Sequence, residues 1–476
     1  MRKQQLTAEV CLGAFPDDPD FPQLKVASDP DRMLEVFRRH LKPVSGEPCQ
    51  IRRCAPFRFR YRQSTSRCVL QYTLRIVEPR TGRQWDQWVT GLVYAETGEA
   101  ERLWRELRAE DPRREIPEHW LTFEPVEFIP KLRMLVEVFP YDRRLRNLGP
   151  VLGGAVRDLE PLLLARLGPG QWRAAEHRME PTRYRTELGA ALKFTLQARD
   201  ELTARSETLR CYLKVYRDQR GEETFQLLRS LSERAANGED LYSVVRPITY
   251  LSGLRTLVLE EAAGTSLQQL LLQGRDPAAA VGVVARAVAA LNQDDLGLTR
   301  RHSLADQVDD VTREARLVQW ACPHISEEVQ AITAAVVAGL AEVPPAPIHR
   351  DLKTDHIFLS DDRVCFIDFD NVAMGDPVRD PAHLCAYMVT RVGLNGISPR
   401  QAHAAAAAFA EAYFERVPPA WLERFPVHCA GALIEVAGGM FRRQERHWPE
   451  RVTAAVREAK NALSGGFLLK TFSCPT

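Results

Sequence analysis

Two stretches of this 476-residue chain align with each other at a fixed distance, and that repeat limits the possible folds more than any single motif does. RYRQSTSRCVLQYTLRI, from Arg60, resembles RYRTELGAALKFTLQAR, from Arg183, and LRMLVEVFPYDRRLRNL, from Leu132, resembles LRTLVLEEAAGTSLQQL, from Leu254. Between these blocks Leu92-Val93-Tyr94 matches Lys214-Val215-Tyr216. Positions 194, 215, 254 and 267 follow positions 72, 93, 132 and 145 by 122 residues in every case, so the blocks share one register. Runs such as CVLQYTLRI and ALKFTLQA alternate apolar and polar residues, the period of a strand with one buried face. A stretch of helical periodicity leads into each copy, RMLEVFRRHL and LEPLLLARL. Each copy is expected to hold one helix followed by about five strands.

After Gly264 the pattern changes to long alanine-rich or amphipathic helical stretches, such as AAAVGVVARAVAALNQ and QAHAAAAAFAEAYF. An α+β chain in three parts follows: residues 1–140, 141–262 and 263–476. PVSGEP and LGPGQW read as loops within these parts. Charge is nearly balanced at a formal +1, which gives no electrostatic case for nucleic acid or a membrane surface. No apolar run of eighteen residues and no signal-like leader occur, and the ten cysteines form no CxxC pair. Reduced, mostly buried thiols in a cytoplasmic protein are the expectation.

The residues with most chemical content lie late in the chain. PIHRDLKTDHIFL, residues 347–359, is followed at once by the strand-like RVCFIDFD, residues 363–370. Two short strands, with HxD at the start of one and DFD at the end of the other, form a hairpin that brings Asp351 and Asp368 together. Carboxylates so placed can divide the work: one orients or deprotonates an attacking hydroxyl, the other coordinates a magnesium on nucleotide phosphates. HRD alone says little, but HRDLK, a ligand-type residue five positions after the aspartate and IDF about a dozen residues on form a specific combination.

IHRDLKTDHIFL followed by FIDFDNVAMGDPVRDPAHLCAY resembles the signature of the aminoglycoside phosphotransferase and choline kinase superfamily, and the resemblance spans roughly residues 183–465. It implies a bilobal protein kinase-like fold, a β-rich N-lobe and a helical C-lobe, here preceded by a second, degenerate N-lobe-like β unit. On that pattern Asp351 is the catalytic base, Asp368 the main magnesium ligand, and His356 fills the second metal position. Lys353 steadies the transferred phosphate, and Asp376 and Asp380 belong to an element that braces the catalytic loop. Lys214, in the alternating strand CYLKVY, becomes the phosphate-binding lysine. The chain has nine lysines against 55 arginines, which makes a lysine inside a strand a less ordinary choice. Glu223 is favoured over Glu222 as its partner. Adenine is expected at backbone groups of Glu260, Glu261 and Ala262, with Ser266 capping the next helix. ATP and Mg²⁺, with Mn²⁺ as the alternative metal, are the implied cofactors.

Two features bear on the acceptor. Lys353 leans toward protein kinases. Asp376 follows Asp368 within eight residues, too short a span for the activation segment on which a protein kinase seats its peptide. The expected activity is therefore phosphorylation of a hydroxyl on a small molecule. A catalytically weak nucleotide-binding scaffold is the second reading, and a protein kinase the third. The first copy has Leu92 where the second has Lys214, and no second HxD loop follows it, so packing, cleft-capping or homodimer contact is its expected use.

Overall fold

The structure, a computed structural model, describes residues 15–44, 49–62, 67–154, 156–237, 241–274, 277–360 and 363–466. The chain packs as two units. One takes in the chain up to Phe225 with Pro247–Glu261 and Arg442–Glu445; the other takes in Gln226–Arg246, Ala262–Phe441 and the chain from Arg446 onward.

The first unit contains the sheets of both copies of the repeat, while one helix of the second copy passes into the other unit at Gln226. Helix α1 (Pro30–His40) leads into strands β1 (Gln50–Arg62), β2 (Arg67–Val77) and β3 (Gln84–Tyr94), then α2 (Glu99–Ala109), β4 (Val126–Ile129) and β5 (Met134–Val138). The second copy runs α3 (Val156–Leu164), β6 (Trp172–Arg185), β7 (Gly189–Asp200), β8 (Ser206–Tyr216), α4 (Arg220–Asn237), β10 (Pro247–Leu251) and β11 (Thr256–Glu260). Both sheets have five strands, in the orders β1-β2-β3-β5-β4 and β6-β7-β8-β11-β10. α4 lies where GEETFQLLRSL reads as a helix from the sequence; its counterpart α2 in the first copy was not part of the sequence expectation.

Pairing repeats as well as order. Leu92 faces Val69 and Leu135 across the ladder, and Lys214, 122 residues later, faces Ala191 and Leu257. Arg133 and Arg255, also 122 apart, both adopt a left-handed backbone, and their carbonyls accept the amides of Tyr94 and Tyr216. Such agreement in a residue type that rarely takes positive φ ties the two copies together more closely than composition could.

The copies differ in what covers them. In β7 every second residue, from Ala190 to Ala198, is buried and the residues between are more open, so this strand shows one face to the core. β2 is buried along both faces: Tyr72 meets Phe37 of α1 edge-on at 5.1 Å and donates to the Ala27 carbonyl. Leu92 is fully buried among Val69, Ala100, Leu135 and Tyr141, whereas Lys214 is half-buried. Trp88 and Phe139 of the first copy pack into the core of the second, where Trp88 lies flat on Tyr184.

The second unit is mostly helical: α5 (Leu267–Leu272), α6 (Pro277–Asn292), α7 (Leu304–Ala321), α8 (Ser326–Gly339), α9 (Arg379–Val389), α10 (Pro399–Phe414), α11 (Ala420–Arg442) and α12 (Trp448–Leu463). Ser266 caps α5 through a reciprocal capping box with Gln269, as expected. A small sheet, β12 (Thr265–Ser266), β14 (Ile357–Ser360), β15 (Arg363–Phe366) and β9 (Tyr242–Val244), sits among these helices, and β13 (Ala346–Ile348) pairs with β16 (Ala373–Gly375). Among the described residues no helix is long and apolar enough to cross a membrane. The eight described cysteines are all free thiols and six of them are buried.

Gly264 places β12 beside β14. Its φ is +90°, and a Cβ there would stand 2.1 Å from the Leu359 carbonyl oxygen. Gly264→Ala is expected to lose more than about 2 kcal/mol of stability, because strain and a backbone clash add. Urea denaturation measures this, and an unchanged midpoint would show that β12 can move away.

Candidate active site

β13 ends at Ile348 and the chain turns sharply through His349, Arg350 and Asp351. The turn needs a left-handed residue, and Arg350 supplies it with φ of +65°. A one-turn 3-10 helix, Thr354–His356, then delivers the chain to β14. β14 and β15 form the antiparallel hairpin expected from the sequence, with Ile357 opposite Phe366. Asp368 follows β15 and also takes positive φ, +69°. Both carboxylates therefore sit at or beside backbone conformations that ordinary residues avoid, a form of strain that gathers at functional sites.

Buried hydrogen bonds hold this backbone. His349 is fully buried; its Nε2 donates to the Ile367 carbonyl at 2.8 Å and its Nδ1 accepts the Asp351 amide at 3.4 Å. One imidazole thus spans the residue before Asp368 and Asp351 itself. Asp380, buried in the first turn of α9, accepts the amides of His349 at 2.7 Å and Arg350 at 3.0 Å. Asn292, the last residue of α6, donates to Asp380 at 3.1 Å and to the Pro347 carbonyl at 2.8 Å, and accepts from Tyr413. His383 of α9 donates to the Leu352 carbonyl at 2.9 Å. Asp380 thus braces the loop directly. Asp376 turns to α11, where Arg424 donates to both its oxygens and His428 stands 3.0 Å away.

On this frame Asp351, His356 and Asp368 each offer one ligand atom, all within 4.8 Å of one another. Lys353 Nζ lies 3.2 Å from Asp351 Oδ2. Burial disfavours the charged form of Asp351, but Lys353 and then His356 hold its carboxyl at about 2. Burial first, and then Lys353, push His356 down to about 4 against the pull of Asp368 and Asp351. At neutral pH the site holds a carboxylate, an ammonium and a neutral imidazole. His356 Nδ1 is 2.9 Å from the Asp351 carbonyl, which can only accept, so that nitrogen carries the proton. Its Nε2 then turns a lone pair toward Asp368 Oδ2 at 3.5 Å. Two lone pairs facing each other call for a cation or a donor between them, and the donor set fits a divalent ion. Oxygen-loving Mg²⁺ suits the two carboxylates better than the imidazole, which is also at home with Mn²⁺.

The remaining sequence candidates lie elsewhere in the chain. Lys214 is on β8 between Ala191 and Leu257, and Glu223 lies in the exposed first turn of α4. Glu260 is the last residue of β11 in register with β8 and its carboxylate pairs with Arg166. The Glu261 carboxylate pairs with Lys193 at 2.7 Å, and Ala262 follows it. Sequence reasoning missed Asn292, His349 as a bridge, and His383. The available signal was a polar residue where AVAALNQ otherwise keeps an apolar face.

Residues 199–423 match the family model described as the phosphotransferase enzyme family. The match covers just under half of the chain and includes both motifs that carry the resemblance, IHRDLKTDHIFL and FIDFDNVAMGDPVRDPAHLCAY. Among solved structures, a choline/ethanolamine kinase family protein from Mesorhizobium loti is 16% identical, with a TM-score of 0.39 over 66% of this chain and 99% of its own. ADP-bound aminoglycoside phosphotransferase APH(2'')-Ib is 15% identical, with a TM-score of 0.38 over 62% and 95%. Amicoumacin kinase hAmiN, in complex with AMP-PNP, Ca²⁺ and Ami, is 14% identical, with a TM-score of 0.40 over 66% and 94%. No curated protein matches the chain.

Asp380→Asn turns one accepting oxygen into an NH₂ facing N–H donors, and is expected to cost about 1–3 kcal/mol. Chemical denaturation reads it, and a loss below about 0.5 kcal/mol would mean that the loop is held by other groups.

Proposed function

We propose that the chain is an ATP-dependent kinase that transfers the γ-phosphoryl group to a hydroxyl of a small molecule, with Mg²⁺ as the metal and Mn²⁺ as its alternative. The observation that carries this reading is the convergence of Asp351, Lys353, His356 and Asp368 on one braced loop and hairpin.

Asp351 accepts a hydrogen bond from the acceptor hydroxyl and aims its oxygen at the γ-phosphorus. A carboxyl held near 2 is a weak base, which suits orientation with late proton uptake in a loose, dissociative transfer. As the new O–P bond forms, the bond from the γ-phosphorus to the bridging oxygen breaks and the hydroxyl proton passes to Asp351. Lys353, beside Asp351, neutralises charge on the transferred group, and Lys214, oriented by Glu223, does so on the nucleotide phosphates. Asp368, with His356 directly or through a water, would hold the divalent ion, which neutralises charge on the phosphates. Backbone groups at Glu260, Glu261 and Ala262 take the adenine edge.

A small acceptor is favoured because the 3-10 turn Phe369–Asn371, β16 and the fully buried α9 fill the chain after Asp368, with no segment to seat a peptide. The mixed or basic character of FRRQERHWPERVTAAVREAK favours a neutral or anionic acceptor over a polycation. In domain terms we read residues 1–140 as a degenerate N-lobe-like copy, 141–262 as the N-lobe and 263–476 as the C-lobe of a cytoplasmic enzyme. The first copy is also the natural place for homodimer contact.

Two variants test this. Asp351→Asn is expected to lower kcat roughly 10²-fold to 10⁴-fold with MgATP binding retained. Asp368→Ala is expected to abolish metal-dependent ATP binding in a thermal shift assay, and equal MgATP binding by that variant would overturn the metal assignment. Metal-dependent ATP binding without consumption across sugars, amino alcohols and antibiotics would favour the scaffold reading.

A further inference from the structure

The turn from β6 to β7 is held by the first copy. Glu187, in this turn, is fully buried and has φ of +62°. Arg67 of β2 donates through Nη2 to both of its carboxylate oxygens, at 2.7 and 2.8 Å, and Arg143 donates at 2.8 Å. Arg60 of β1 donates to the neighbouring Thr186 carbonyl at 3.0 Å. Asp142 holds the backbone itself: its Oδ2 accepts the Glu187 amide at 2.6 Å and the Tyr184 hydroxyl at 2.9 Å, and its Oδ1 accepts the amides of Arg144 and Leu145. Glu137 of β5, 3.2 Å from Arg143, is pushed up to about 8, by burial first and then by Asp142.

Two further facts give this contact a direction. Asp142, Arg143 and Arg144 precede Gly264, Thr265 and Ser266 by 122 residues, so the first copy grips the second copy's turn with the segment equivalent to the one that enters β12. β7 leaves the turn at Gly189, opposite Tyr216, and reaches Ala191 opposite Lys214. Glu187 thus stands four residues before the strand position that faces Lys214. A buried carboxylate among guanidinium groups adds little stability over an apolar pair of the same size, but it specifies one geometry.

We propose that the first copy is a positioning element for nucleotide: Arg67, Arg143 and Asp142 lock Glu187, and with it the β6–β7 turn, in one conformation before nucleotide arrives. The link to nucleotide rests on the kinase reading, which puts Lys214, opposite Ala191 of β7, on the phosphates; the anchor does not. Arg67 and Glu187 are positioning residues that act through the turn.

Steady-state kinetics and hydrogen–deuterium exchange on the full chain test this with Glu187→Gln and Arg67→Lys; the second keeps a positive charge and serves if the first fails to fold. The expected result is a KM for ATP raised about tenfold by Glu187→Gln and less by Arg67→Lys, with kcat and acceptor KM changed less than about twofold. Without nucleotide, amides 186–189 of Glu187→Gln are expected to exchange at least about tenfold faster, with the β7–β8 ladder unchanged. Variants that melt earlier but keep both the KM for ATP and the turn's exchange rate would overturn the proposal and leave a merely structural contact. If the wild type binds no MgATP, the kinase reading falls, and the exchange data still decide the anchor: a turn that opens in the variants upholds it, and an unchanged turn overturns it.

Discussion

The carboxylate of Asp380 is buried in the first turn of α9, where it accepts the amides of two consecutive residues, His349 and Arg350, from about thirty positions earlier in the chain. Successive amides point at one anion only when the backbone between them turns into a concavity, and the positive φ of Arg350 marks that turn. The anion and the turn therefore need each other. An ionised carboxylate without partners in such a place would cost several kcal/mol, and a peptide turn with two buried, unpaired N–H groups would fare little better. Asn292 adds a third donor, and the start of a helix favours a negative charge. The loop carrying Asp351 and Lys353 depends on this arrangement.

Strain at Asp368 is handled by the same frame. A non-glycine residue at φ +69° costs of the order of 1–3 kcal/mol. His349 offsets this by tying the carbonyl of Ile367 to the amide of Asp351, and the Ile367 amide returns a bond to the His356 carbonyl at 3.0 Å. The carboxylates of Asp351 and Asp368 are thus fixed relative to each other before any ligand arrives. In the kinase reading proposed above, this fixed placement counts, because phosphoryl transfer works mainly by placing charge where it will be needed.

Local chemistry was the legible part of the sequence. The hairpin of β14 and β15 could be read because its strands are adjacent in the chain, and the repeat because both copies kept the spacing of 122 through their central strands. The capping box at Ser266 was legible for the same local reason. The braces were not. Asn292 and Pro347 lie 55 positions apart, and Tyr413 reaches Asn292 across 121, distances over which periodicity carries no signal. The motif GDPVRDPAH announced two aspartates without saying that one faces the loop and the other faces Arg424 and His428. Nor could periodicity show that Glu187, a charged residue in a turn, is buried.

The two copies form a natural comparison of one sheet put to two uses. At equivalent ladder positions the first copy buries Leu92 in an apolar core and the second leaves Lys214 half-buried between the small Ala191 and Leu257. A lysine at the Leu92 position would carry a strongly hydrated ammonium into a site without room for it or a counter-charge, so the first sheet can be covered on both faces only because it gave up that charge. The second sheet kept the charge and with it an open face, which left its β6–β7 turn without a cover of its own. The arginines and Asp142 of the first copy fill that place. The two copies thus separate two demands that conflict within a single sheet, a dry core on both faces and a strand that carries a half-buried charge.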